Sequence, residues 1–361
     1  MEYFPKLRLR ISKGVNTCFQ NQNGVYQDGV LAYCRDQDAT IWAIVGHTNL
    51  GGISVWHGQE LYCLEKQYDA AFQFDLGKAG EAFNGVQYPD GPFARGQIWP
   101  CGLWIDPSDH CFYCYFHNET GWGAGDTSYT VFGQQEGEPD YRHIGLMASK
   151  DCGKTWDFQG FIITSSFPSF SSYYRPDECT QPGQSDDWIC LGSGDFSIYA
   201  NEQDGFLYLF YTQSFYHCLT KEIRDHIYVA RAPIAMQRFP QSWKKLYQGN
   251  FSQPGNCGLE TPVFSDGAVP SVIYYKPASI YMMSCYHRAS WISGNSTLQI
   301  AFSNDLIHWE KMIAAGGDRT DLSLPYFTLH CPDRNDCHME IYMGSNGSDV
   351  MKAEVIIERE R

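Results

Sequence analysis

Residues 192–213 read Gly-Ser-Gly-Asp-Phe-Ser-Ile-Tyr-Ala-Asn-Glu-Gln-Asp-Gly-Phe-Leu-Tyr-Leu-Phe-Tyr-Thr-Gln. Two apolar and aromatic runs flank Asp204-Gly205, and Gly205 can adopt the positive φ that a tight turn requires. The stretch therefore predicts a β-hairpin. Asp195 stands at the start of its first strand, where burial of a carboxylate is unfavourable unless solvent or a ligand reaches it.

The same pattern recurs along the chain, which predicts five hairpin units. Each unit is an apolar run, a polar turn and a second apolar run. Besides 192–213, the paired runs are 27–33 with 40–45, 98–104 with 112–116, 269–275 with 280–284, and 324–329 with 339–343.

A second repeated element follows the hairpins and consists of a strand, a polar turn and a Trp that begins the next strand. Its copies are 145–156, 298–309 and a looser one at 227–244. Two hairpins per unit make a four-stranded sheet, and such sheets repeated around an axis form a β-propeller. The alternating stretches 6–11 and 351–357 predict terminal strands that complete one sheet. We therefore expect an all-β chain in which residues 1–361 form a single five-bladed β-propeller of four-stranded antiparallel blades, with a pair of β-sandwiches as the alternative.

Composition excludes several classes of function. The net charge of −15 argues against nucleic-acid binding, which requires a basic surface. No run of 18 apolar residues occurs, so we expect no transmembrane helix and no membrane partner. The oligomeric state is left open.

Cysteines and glycosylation sequons bear on the compartment. The chain has fourteen cysteines and sequons at Asn118, Asn250, Asn295 and Asn346, which favours an extracellular or secretory protein with at least one disulfide. Residues 1–5 do not resemble a signal peptide, so a cytoplasmic protein with reduced thiols is the alternative. Cys111 and Cys114 have zinc-like spacing without a second pair, and we expect neither a metal site nor a cofactor.

Two motifs resemble known families. Ser149–Trp156 resembles the Asp box of sialidases (Ser-x-Asp-x-Gly-x-Thr-Trp), a structural turn. The Asp195 stretch, the 303–309 turn and Glu260-Thr261-Pro262 resemble glycoside hydrolase family 43 and five-bladed relatives such as family 117. The resemblance implies a propeller glycosidase that acts on an oligo- or polysaccharide.

The resemblance also implies catalytic roles. Asp28 matches the family's aspartate base, Asp195 its assisting aspartate, which would raise the pKa of the acid, and Glu260 its glutamate acid. In family 117 a histidine takes the acid role, and His287 is the substitute here. Glycoside hydrolysis needs one proton donor and one group that activates water or attacks, and an inverting enzyme separates the two carboxyls by roughly 6.5–9.5 Å.

Four further residues are candidates for substrate binding: His47, Trp99, Arg288 and Trp291. Each also has an ordinary structural interpretation, since aromatic side chains commonly pack in the core. The alternatives to an inverting glycosidase are a non-catalytic propeller that binds glycans or a protein, and a sialidase-like retaining enzyme, which requires an arginine cluster.

Overall fold

The chain folds almost entirely into β-strands, joined by turns and short 3-10 helices. The computed structural model describes residues 7–74, 82–91, 93–120, 141–167, 188–217, 222–288, 296–312, 326–332, 338–344 and 349–359. The strands of the first half are β1 (Leu7–Ile11), β2 (Val15–Asn16), β3 (Ala32–Arg35), β4 (Ile41–His47), β5 (Gly52–Gly58), β6 (Glu65–Asp69), β7 (Ala71–Phe72), β8 (Ala82–Gln87), β9 (Phe93–Arg95), β10 (Gln97–Ile105), β11 (Phe112–Glu119), β12 (Arg142–Ser149) and β13 (Thr155–Ile163). Those of the second half are β14 (Trp188–Asn201), β15 (Phe206–His217), β16 (Ile223–Pro233), β17 (Lys244–Tyr247), β18 (Asn250–Pro254), β19 (Phe264–Ser265), β20 (Ala268–Tyr275), β21 (Ile280–Arg288), β22 (Ser296–Ser303), β23 (Trp309–Met312), β24 (Tyr326–His330), β25 (Met339–Gly344) and β26 (Met351–Arg359).

All five predicted hairpins are antiparallel strand pairs. They are β3 with β4, β10 with β11, β14 with β15, β20 with β21, and β24 with β25. In the hairpin of β14 and β15, Gly205 has φ +76°, as the turn requires.

Hydrogen bonding extends these hairpins into larger sheets. β3 to β6 form one four-stranded sheet, and β20 to β23 form another. β24, β25, β26 and β1 form a third sheet, with β2 attached to β26. β10 to β18 lie in one eleven-stranded sheet together with β7 and β19, because a single parallel pair, Arg142 with Gly192, joins β12 to β14. β8 and β9 form a separate two-stranded sheet.

The first strands of the five hairpins lie side by side around a central cavity. β3 packs against β10, β10 against β14, β14 against β20, and β20 against β24. The backbone N–H of Leu31, beside β3, donates to Thr328 Oγ1 on β24 at 2.9 Å. The cavity of about 760 Å³ is lined by all five strands, at residues such as Tyr33, Trp104, Ile198, Ile273 and Leu329. These strands therefore surround a channel.

Hydrophobic side chains fill the spaces between neighbouring sheets. Ile44 and Val55 pack with Phe112 and Met147, which joins the sheet of β3–β6 to β11 and β12. On the other face of that sheet, Ile41 and Val45 pack with Tyr342 of β25. Phe210 and Val229 similarly meet Met283 and Ala301. Each sheet face is thus buried by its neighbour, which is the main source of stabilisation for short strands.

The two terminal strands pair as predicted. β1 runs antiparallel to β26, with Leu9 opposite Ile357 and Ile11 opposite Val355. Leu9 and Val355 are buried in the largest hydrophobic cluster, so the pairing also completes the core.

The Ser149–Trp156 turn is held by its own side chains. Asp151 Oδ1 accepts hydrogen bonds from Ser149 Oγ at 2.7 Å and from the Thr155 backbone at 2.8 Å. Trp156 is fully buried and donates from Nε1 to the Gly153 carbonyl at 2.7 Å. The turn therefore fixes the exit from β12 and the start of β13.

The compartment signals receive little support. The eleven cysteines within the described residues are all free thiols, while Cys179, Cys218 and Cys337 lie outside them. The sequon residue Asn118 is fully buried, and its amide donates to the carbonyls of Arg95 and Gln97. Asn118 is therefore closed to glycosylation in the folded protein. No helix in the described part of the chain has the length and apolar character to cross a membrane.

Candidate active site

Asp28 lies four residues before β3 and two residues before Val30, which lines the cavity. The Tyr326 hydroxyl, at the start of β24, hydrogen-bonds its carboxylate. The other carboxylate oxygen, Oδ1, is buried and has no hydrogen-bond partner among the described residues. Asp28 therefore has one carboxylate oxygen that is desolvated and not satisfied by a described hydrogen bond.

The surroundings of Asp28 favour its protonated form. Burial is the main cause and raises the pKa of Asp28 to about 6. The Tyr326 hydrogen bond opposes this rise. The negative charges of Glu119 and Asp195 add to it, and the positive charge of His117 opposes it. The pKa of Asp28 thus lies in the range that suits a general base or acid near neutral pH.

Asp195 lies in the same cluster of charged residues as Asp28. Its carboxylate Oδ2 accepts a hydrogen bond from Arg142 Nη1 at 2.9 Å. Its Oδ1 lies 3.5 Å from His117 Nδ1, and its backbone N–H points to the same nitrogen at 3.2 Å. The two aspartates are far apart in sequence, yet the charge of Asp195 acts directly on Asp28.

Three charged residues of the cluster, His117, Glu119 and Arg142, were missed by the sequence analysis. Glu119 Oε1 lies 3.1 Å from both His117 Nε2 and Arg142 Nε. Burial alone would raise the pKa of Glu119, but the charges of Arg142 and His117 hold it below its ordinary value. The i, i+2 spacing of His117 and Glu119 at the end of an aromatic strand was an available signal, because such residues share one face of the strand.

His117 is the most enclosed member of the cluster. Burial alone would lower its pKa, but the Glu119 charge and the hydrogen bond with Asp195 raise it well above 6.5. Both protonation states have partners. A neutral ring accepts the Asp195 N–H at Nδ1, whereas an imidazolium gives up that hydrogen bond and lies within ion-pair distance of both carboxylates. Two carboxylates within 3.5 Å favour the imidazolium.

His47 and Trp99 form an aromatic wall beside this cluster. Their rings stack with centroids 5.3 Å apart, and Trp99 lies 5.6 Å from the ring of His117. Burial lowers the pKa of His47 to about 4, so its ring is neutral at pH 7. His47 Nδ1 accepts the backbone N–H of Leu50 at 3.3 Å.

Glu260 lies in the connection between β18 and β19, within a separate group of contacts. Its side chain is only 4% exposed and lies 2.9 Å from Lys245 Nζ. It also accepts hydrogen bonds from the Tyr211 hydroxyl and from Gln213 Nε2. Gln213 donates to Ser193 Oγ at 3.0 Å, two residues before Asp195. Glu260 is therefore connected to Asp195 through hydrogen-bonded side chains and the backbone.

The remaining candidates are less fully described. His287, on β21, is partly exposed, and its Nδ1 lies 3.3 Å from the carbonyl oxygen of Asp266. The backbone of Arg288 ends β21 opposite Ser296, while its side chain lies outside the described part. Trp291 also lies outside the described residues.

No protein-family model and no curated protein sequence matches this chain. Solved structures do share its fold. A family 117 glycoside hydrolase from Zobellia galactanivorans is 8% identical over 98% of this chain and 91% of its own, with a TM-score of 0.51. An α-L-arabinofuranosidase from Lactobacillus brevis is 11% identical over 93% of this chain and 94% of its own, also at 0.51. A family 43 β-1,3-galactosidase solved with galactodeoxynojirimycin is 10% identical over 94% of this chain and 93% of its own, and its TM-score is also 0.51. The chain therefore has a fold similar to the propellers of families 43 and 117.

Proposed function

We propose that the protein is a glycoside hydrolase whose reaction takes place at the Asp28 end of the channel. One observation carries the proposal: Asp28 presents a buried Oδ1 with no described hydrogen-bond partner, next to a second carboxylate, Asp195. Burying two carboxylates together opposes folding, and such pairs are typical of sites that use them chemically. The likeness to propeller glycosidases supports this reading by analogy.

In the proposed mechanism, Asp28 is the base that removes a proton from the attacking water. Its pKa of about 6 combines a deprotonated state at neutral pH with enough basicity to accept that proton. The fixed negative charge of Asp195 strengthens the base. An inverting outcome follows if the donor carboxyl lies far enough away to leave room for water.

Glu260 is the proposed proton donor, and His287 is its alternative. The link through Gln213 and Ser193 supports Glu260. In this role the ion pair between Glu260 and Lys245 opens when Glu260 donates its proton. His287 has no such cation among its described contacts and is more exposed.

We also propose that the sheets are the five blades of one propeller that spans residues 1–361. The five first strands around the channel support this, as does the burial of sheet faces by their neighbours. The parallel pair between Arg142 and Gly192 would then be a contact between two blades rather than part of a continuous sheet.

The test is release of nitrophenol from a panel of aryl glycosides that includes β-galactosides and α-L-arabinofuranosides. Asp28→Asn should lower turnover at least about 100-fold. The matched control is Asp69→Asn on the surface, where the carboxylate is 75% exposed beside Lys66. Full activity in Asp28→Asn refutes the assignment.

Two further variants assign the acid. If Glu260 donates the proton, Glu260→Gln should lose turnover on poor leaving groups and keep more of it on activated aryl glycosides. Near-normal turnover in Glu260→Gln with collapse in His287→Ala transfers the role to His287. Binding of sugars without turnover of any glycoside in the panel would indicate a glycan-binding propeller instead.

A further inference from the structure

Asp195 has an unusual backbone conformation for its residue type. Its φ is +40°, which a non-glycine residue seldom adopts. The register between β14 and β15 shifts between Gly194 and Phe196, so Asp195 lies at a bulge in the strand. Such bulges redirect a side chain, and their strain persists only where neighbouring groups hold the residue in place.

Those neighbouring groups come mainly from other strands. Arg142 Nη1 binds Asp195 Oδ2 at 2.9 Å, and the His117 ring meets both the Asp195 amide and Oδ1. Thr212 Oγ1 donates to the Asp195 carbonyl at 3.0 Å. Glu119 lies between His117 and Arg142, and its Oε1 is 3.1 Å from His117 Nε2 and 3.1 Å from Arg142 Nε.

Two glycines make this approach sterically feasible. A Cβ at Gly192 would lie 2.3 Å from the Arg142 carbonyl oxygen, and Gly192 has φ +82°. A Cβ at Gly194 would lie 3.0 Å from His117 Nε2 and 3.1 Å from the Arg142 side chain. Gly192 thus admits the backbone of Arg142, and Gly194 admits the side chains of His117 and Arg142.

The charges that face Asp28 come from the same group. Glu119, Asp195 and His117 act on it, together with the hydroxyl of Tyr326. Arg142 acts through its ion pairs with the two carboxylates. The Cys101 thiol packs against His117 on the channel side.

We propose that Arg142, His117 and Glu119 form an ionic clamp that holds Asp195 in its strained conformation and sets the electrostatic field at Asp28. The three are positioning residues. Arg142 and His117 hold the Asp195 carboxylate, and Glu119 offsets the positive charge that they bring near Asp28. The clamp rests on the proposed function only in that Asp28 is taken to be the base.

The clamp predicts opposite effects for two neutralising variants. Glu119→Gln removes a negative charge and leaves Arg142 less compensated, so the pKa of Asp28 should fall by about half a pH unit or more. Arg142→Gln removes the positive charge and should raise the pKa of Asp28 by a similar amount. A merely structural role would not produce shifts of opposite sign.

The experiment is a carbon-13 NMR titration of the aspartate carboxyls in the full chain, with the Asp28 signal assigned by its loss in Asp28→Asn. Arg224→Gln is the control, because Arg224 is about half exposed and pairs with Glu222 on the surface. The proposal would be overturned if Glu119→Gln and Arg142→Gln shifted the pKa of Asp28 in the same direction, or if neither variant changed it. If Arg142→Gln does not fold, Arg142→Lys and Glu119→Gln decide the question. In Arg142→Lys the Asp28 carboxyl should titrate as in the wild type, whereas in Glu119→Gln its pKa should be lower.

Kinetics supply a second readout. Arg142→Lys keeps the charge but loses the two-pronged geometry, so kcat should fall about 10-fold or more with little change in the acidic limb of the pH profile. The NMR titration does not depend on turnover, so it tests the clamp even if no glycoside is cleaved. Conversely, an active enzyme with an unresponsive Asp28 signal would refute the clamp and leave the proposed function standing.

Discussion

Asp28→Asn should stabilise the protein at neutral pH while it abolishes turnover. The ordinary pKa of an aspartate is 3.8 and that of Asp28 in the folded protein is about 6. Between these values the native state binds a proton that the unfolded chain has lost, so stability falls as pH rises through this window. A difference of about two pKa units at about 1.4 kcal/mol each gives about 3 kcal/mol of destabilisation above pH 7.

Asparagine carries no charge and avoids this penalty. The unfolding free energy of Asp28→Asn relative to wild type should therefore rise with pH, by about 2 kcal/mol between pH 4.5 and 7.5. Urea unfolding at several pH values measures the difference, because urea does not screen charges as guanidinium does. The Asp69→Asn control should follow the wild type within about 0.5 kcal/mol at every pH.

If the difference in unfolding free energy between Asp28→Asn and wild type did not change with pH, the reasoning would be refuted. Asp28 would then have the same pKa in the folded and unfolded states. A difference that falls with pH would be equally damaging, since it would place Asp28 in a stabilising ion pair. Stabilisation combined with loss of turnover is the result expected of a residue retained for chemistry rather than for folding.

Three further predictions concern other sites. Lys245→Met leaves a buried carboxylate without its cation and should lower the unfolding free energy by about 3–5 kcal/mol, measured by urea unfolding. Gly194→Ala pushes a methyl group against the His117 ring, so turnover should fall at least about 10-fold while the midpoint of unfolding changes little; an unchanged rate would contradict the tight fit. Among the described cysteines, Cys63 and Cys257 are exposed and should be alkylated first, which peptide mass mapping checks; earlier labelling of buried thiols would contradict the structure.

The hairpins could be predicted from sequence because their signals are local. Alternation and the turn at Asp204-Gly205 depend only on neighbouring residues, and β14 and β15 pair around that turn. The predicted first residues of the strands were less accurate than the predicted hairpins. β3 begins at Ala32 rather than near Gln27, because the backbone bends at Gly29, where φ is +132°, instead of pairing.

The site was predictable only in part. Asp28 and Asp195 stood out as acidic residues at strand starts, and both lie in the cluster. The spacing of His117 and Glu119 indicates only that they share one face of β11, and no local pattern shows that His117 and Arg142 face a carboxylate on another strand. Their role depends on the juxtaposition of β11, β12 and β14, which is a tertiary property.

The pairing of β1 with β26 has a consequence for how the chain is made. About 340 residues separate the two strands, so at about 5–20 residues per second the first remains unpaired for tens of seconds during synthesis. An unpaired strand edge attracts other chains, and charged residues on it oppose such pairing. The arginines at positions 8 and 10 alternate with the apolar residues of β1 and supply that charge. The yield of native protein should therefore depend on how long this edge stays unpaired during synthesis as well as on the final stability of the fold.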